Sequence, residues 1–188
     1  MITRGVDAIV VHCSATPDGA PLTVEEVDAW HKARGFRRSA HWLSRFNPRI
    51  RHCGYHRLVD HLGRVQEGRH YDEVGAHVQG SNARSIGLCM AGTGKFSHPQ
   101  WFALQRLVVS IVAQIAQGRE PKAAVVGVEE AIRAAQRLGV RIVGHRDFSP
   151  DRDGDGVVEP WEWVKSCPGF DVGQWVAGGM EPPVGHVL

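Results

Sequence analysis

His145 and Cys167 stand 22 residues apart in a chain of 188, and Lys165 lies two residues before the cysteine. An imidazole and a thiolate are donors that Zn²⁺ accepts in a tetrahedral site. Two donors are too few, so a third has to come from another part of the chain. Lys165 and Cys167 share one face if their segment is extended, whereas a helix would turn them about 200° apart. No HExxH occurs, which excludes the helical two-histidine design of metalloproteases.

Between the histidine and the cysteine runs DRDGDGVVEPWE, with Asp151, Asp153 and Asp155 at positions 1, 3 and 5, Gly156 at 6 and Glu162 at 12. That is the spacing of an EF-hand calcium loop, in which Val157, at position 7, offers its backbone carbonyl. The sequence therefore predicts a Ca²⁺ site inserted between two zinc donors, with Glu159 reaching the ion through water. Like charges at these positions repel, so the empty loop is expected to be loose. The other reading is a solvated acidic turn, because Ser149 and Pro150 do not resemble the end of an entering helix.

The elements that must position these groups can be read from apolar periodicity. Residues 7–12 (DAIVVH) form a short β-branched run, a buried strand that delivers His12 at its end. Residues 140–143 deliver His145 in the same way. A structural histidine remains the alternative for His12 taken alone. Thr23 and Glu26 make a capping box for a helix over 24–34 that stops at Gly35. Residues 55–59 and 64–67 read as a hairpin, 85–90 as a further strand and 129–138 as a helix. Ser97 and Gln100 cap another helix, whose apolar stripe runs from Trp101 to Ile115 and reads as core. The fold class is α/β, one domain with a central mixed sheet flanked by helices and the metal in a groove at the strand ends. The glycine and proline load of 178–188 predicts a flexible tail outside a domain of 1–177.

Composition narrows the class. Apolar residues make up 43% and charged residues 22%, ordinary for a globular protein. A net charge of +2 gives no reason to expect a nucleic-acid partner. No apolar run reaches membrane-spanning length, and the first 20 residues lack a basic region followed by an apolar one. Synthesis in the cytoplasm without a signal peptide is the expectation. Four cysteines without a CxxC pair fit a reduced compartment, and Cys13 and Cys89 read as small buried hydrophobes. Between positions 32 and 51 lie seven basic residues (Lys32, Arg34, Arg37, Arg38, Arg45, Arg49 and Arg51) and no acid. This is a solvated basic loop or a surface for an anionic envelope polymer.

Six motifs then occur in a fixed order: HCSAT at His12, GYH at Tyr55, VGAH at His77, SIG at Ser85, GHRD at His145 and KSCP at Lys165. With them the chain resembles the type 2 N-acetylmuramoyl-L-alanine amidases, the phage-lysozyme-type zinc enzymes that share a fold with peptidoglycan recognition proteins. The resemblance covers about residues 9–175. It implies zinc held by His12, His145 and Cys167, catalysis completed by Tyr55 and Lys165, and His77 lining the substrate groove. It also implies hydrolysis of the amide joining N-acetylmuramic acid to L-alanine in peptidoglycan. A phage or prophage endolysin, monomeric and released to the wall by a holin-type partner, is the biology expected. A cytoplasmic muropeptide-recycling amidase and a non-catalytic recognition module are the alternatives. The basic stretch and the acidic loop depart from the compact phage enzymes.

Overall fold

Alternation along the first strand sorts the two faces of the sheet. In the computed structural model, which describes residues 1–121 and 124–188, β1 (Ala8–Cys13) is buried over all but its last residue. Ile9 and Val11 join the main core, while Ala8 and Val10 point to the opposite face. Period two therefore puts His12 on the face away from that core.

α1 (Val24–Ala33) starts at the predicted Thr23–Glu26 capping box and packs Val24 and Val27 against that second face. α2 (Ala40–Leu43) is a single turn within the basic stretch, capped by Ser39. β2 (Arg57–Val59) and β3 (Val65–Glu67) form the antiparallel hairpin. Its first strand opens two residues later than predicted, although the Tyr55 carbonyl still accepts the Arg69 N–H at 3.0 Å. β4 (Ser85–Met90) is buried at every position. α3 (His98–Arg119), α4 (Val128–Arg137) and α5 (Val172–Ala177) cover the main core, and β5 (Arg141–Gly144) precedes α5.

The sheet has five strands in the order β3-β2-β4-β1-β5, parallel throughout except for the hairpin. β1 lies second from one edge with β5 beside it, so two chain segments far apart in sequence end at the same rim. Ligands of open α/β sheets collect at such carboxyl ends. Among the described residues, no helix is long and apolar enough to cross a membrane.

Two expectations need correction. The segment 178–188 is not a loose tail: Met180 is 1% exposed, Phe96 N–H donates to the His186 carbonyl at 2.9 Å, and Leu188 N–H donates to the Phe96 carbonyl at 3.2 Å. The glycines and prolines shape a return path, while the apolar side chain of Met180 and the backbone pairing at Phe96 anchor it. The basic stretch is also less free than its composition implies. Arg38 is buried and holds Glu73 at 2.7 Å, with its remaining donors on the carbonyls of Phe46 and Asn47 at 2.9 Å. It fastens the loop rather than facing a partner.

Candidate metal centre and groove

Nitrogen atoms of His12 and His145 and the sulfur of Cys167 lie within 4.8 Å of one another. β1 brings the first, the short 3-10 turn His145–Phe148 after β5 brings the second, and the irregular segment after Glu162 brings the third. Val11 pairs with Gly144 in the ladder, so the histidines that follow each are side by side, with ring centroids 4.7 Å apart. Cys167 Sγ is 3.9 Å from His12 Nδ1 and accepts the Cys13 N–H at 3.2 Å. The neighbouring Cys13 side chain and burial push the Cys167 thiol up, and the Cys13 N–H works against them.

The donor set fits zinc. Tetrahedral bonds of about 2.3 Å to sulfur and about 2.0 Å to nitrogen separate the two donors by roughly 3.5 Å. The observed 3.9 Å is within a few tenths of that. Burial, then the neighbouring His77 and His145, hold His12 well below the usual imidazole pKa. Burial, then Lys165, brings His145 to about 4. Both rings are therefore neutral at neutral pH, the form that binds a metal.

Around this cluster the structure gathers the other predicted groups. The Tyr55 ring sits 5.0 Å from that of His12, and burial pushes its phenol well above the usual value. Lys165 and His145 line a groove of about 570 Å³ together with Phe36, His77, Asn82 and Phe148. The segment carrying Lys165 and Cys167 is not helical, as their shared role requires. His77 is 9% exposed, and its Nδ1 lies 3.1 Å from His12 Nε2. It touches a candidate metal donor as well as the groove.

The acidic loop is only partly gathered. Asp151, Asp153 and Glu162 place oxygens within 4.8 Å of one another, while Asp155 groups instead with Asp153 and Glu159. Glu162 is buried and accepts the N–H groups of Arg152 and Glu159, the latter at 3.0 Å. Asp151 accepts from Gly154 at 2.6 Å and from Gly156 at 2.8 Å, and Val157 N–H donates to Asp155 at 2.8 Å. The loop expected to be loose is thus hydrogen-bonded to itself.

Residues that the motifs did not assign also build the site. Asn82 Oδ1 accepts the N–H of His77 at 2.7 Å and of Val78 at 2.9 Å, fixing the glycine-flanked loop. His31 accepts the Gly54 N–H at 2.8 Å beside Tyr55. His56 accepts the Gly87 N–H at 3.0 Å and donates to the Glu73 carbonyl at 2.9 Å. The VGAH and SIG motifs flagged the neighbourhood of Asn82 but not its hydrogen bonds, which depend on loop geometry.

A mixed sheet with a His–His–Cys cluster at its rim, able to hold a metal ion, defines a groove-bearing α/β domain. The chain belongs to the N-acetylmuramoyl-L-alanine amidase family Amidase_2, whose model matches residues 3–170. It is 30% identical over 177 residues to the endolysin of Enterobacteria phage K11, covering 90% of this chain and 84% of the phage protein. Among solved structures, the amidase LysC of Clostridium intestinale URNW superposes with a TM-score of 0.55 at 17% identity, over 94% of this chain and 85% of LysC. Bumblebee PGRP-SA gives a TM-score of 0.57 at 14% identity, over 100% of this chain and 86% of that one. At these identities the two structures speak to the fold alone.

Proposed function

We propose that this chain is a zinc-dependent endolysin that cleaves the amide between N-acetylmuramic acid and L-alanine in bacterial peptidoglycan. The observation that carries the reading is the convergence of His12, His145 and Cys167 within 4.8 Å at the end of a groove lined by Lys165. Three protein donors leave a fourth position for water or substrate, the pattern of catalytic rather than structural zinc. When bound, zinc supplies Lewis acidity and a hydroxide at neutral pH. The chain's own groups supply the rest. Burial keeps Tyr55 a protonated phenol, and the Tyr55 hydroxyl and the Lys165 amine can both donate to an oxyanion forming on the amide carbonyl. His77, Phe36 and Phe148 form walls that orient the substrate and displace water.

A recognition module that binds without cutting is disfavoured by Cys167, whose thiol such a module does not need. A recycling amidase would use the same chemistry on soluble muropeptides. Turbidity loss of purified sacculi, with mass analysis of released stem peptides, tests the reading. Free stem peptides beginning at L-alanine are expected, and intact sacculi with cleaved soluble muropeptides would favour the recycling role.

The same proposal includes a Ca²⁺ site in the loop from Asp151 to Glu162, supported by the three oxygens that already converge there. It also includes action at the wall after release from the cytoplasm. The six exposed basic groups Lys32, Arg34, Arg37, Arg45, Arg49 and Arg51 offer a surface to an anionic envelope polymer.

A further inference from the structure

The ring of His77 is held where a side chain on either neighbour would collide with it. A Cβ at Gly75 would lie 2.5 Å from His77 Cδ2, and one at Gly87 would lie 2.5 Å from His77 Cγ. Those two glycines belong to the VGAH and SIG motifs, on different segments. Both motifs thus close on one imidazole.

A chain of hydrogen bonds with a fixed direction runs through that ring. The Ser81 carbonyl can only accept, so the Ser85 hydroxyl donates to it at 2.8 Å. Ser85 Oγ then offers its lone pairs to His77 Nε2, 3.5 Å away. With its one proton on Nε2, His77 Nδ1 is bare and accepts from His12 Nε2 at 3.1 Å. With the His12 proton on Nε2 toward His77, its Nδ1 is left bare and faces Cys167 Sγ at 3.9 Å.

We infer that His77 is a positioning residue: through Ser85 and the Ser81 carbonyl it fixes the tautomer of His12 so that Nδ1 is the nitrogen offered to the metal. The inference rests on the metal reading above and deepens it. Partners that orient a ligating histidine commonly contribute about 10 to 100-fold in metal affinity. They act by setting which ring nitrogen is free. Gly75 and Gly87 serve the same end, since an added methyl at either would push the ring out of line.

Long-range ¹H–¹⁵N spectra of the metal-free protein read the tautomer directly, and chelator competition reads zinc affinity. Wild type should show His12 protonated on Nε2. His77→Ala should mix the tautomers and weaken zinc about 10 to 100-fold, whereas His77→Asn, whose Oδ1 can accept at the position of Nδ1, should stay within about threefold of wild type. A wild-type His12 protonated on Nδ1 would overturn the inference. Equal losses in the two variants would overturn it as well, because ring bulk rather than the acceptor would then be responsible. A wild-type chain that takes up no zinc would instead sink the metal reading, and the tautomer would still decide the hydrogen-bond chain.

Discussion

Val11 and Gly144 are register partners on adjacent parallel strands, and the residue after each is a candidate metal donor. The sheet itself therefore sets the spacing of His12 and His145. Only Cys167 depends on an irregular segment, and that segment follows the acidic loop.

Replacing Cys167 with serine should remove zinc, because a neutral alcohol is a poor ligand beside a thiolate. Metal analysis of the purified variant is expected to find sub-stoichiometric zinc, with sacculus lysis lost in parallel. Full occupancy with normal lysis would exclude Cys167 as a ligand.

Tyr55→Phe and Lys165→Ala should behave differently from that variant. Each removes a donor to the transition state and leaves the metal donors in place, so zinc content should hold while turnover falls about 10² to 10³-fold. A loss that tracks zinc content would make their role structural.

How much of this was legible in the sequence depends on what kind of contact each residue makes. His12, His145, Cys167, Tyr55 and Lys165 carry recognisable motifs, and strand-end positions for the two histidines followed from apolar runs. The strand order could not be read, since three-residue strands such as β2 and β3 take their places from pairing rather than from their own pattern. His77 was assigned to the groove, but its hydrogen bond to His12 comes from a glycine-flanked loop folding over Gly87. Arg38 was indistinguishable from its six basic neighbours until Glu73, 35 residues away, was seen beside it.

Breaking that pair should be costly. Side chains of Arg38 and Glu73 are 0% and 3% exposed, so Arg38→Ala takes from a buried carboxylate its nearer counter-charge, leaving Arg69 at 3.7 Å, and is expected to cost about 3 kcal/mol in urea unfolding.

Acid should destabilise the fold through histidines that the chemistry does not use. His31 and His56 each accept a backbone N–H on Nδ1, so neither can be protonated there without losing that bond. Burial brings His31 to about 4 and holds His56 well below 6.5. In the unfolded chain both titrate near 6.5, so between these limits the unfolded state binds more protons. Stability is complete above about pH 6.5 and falls as pH drops, with an uptake of about two protons or more on unfolding. Urea midpoints that stay flat from about pH 7 to about pH 5 would contradict this.

Calcium should raise the melting temperature by binding the folded loop. Ligand at about 100 times its Kd stabilises by about 2.7 kcal/mol. Wild type should show that shift and Asp153→Ala with Asp155→Ala should not. No calorimetric heat and no shift in wild type would remove the calcium site from the proposal.

The return of the C-terminus to Phe96 bears on how this domain is joined to others. A wall-targeting module spliced on at position 178, where composition suggests a free linker, would strip away the segment that covers Phe96 and Trp101, whose indole N–H donates to the His186 carbonyl at 3.2 Å. Such a chimera would expose aromatic surface and be prone to aggregate. A fusion begun after Leu188 keeps that cover, and its linker starts outside the fold rather than inside it.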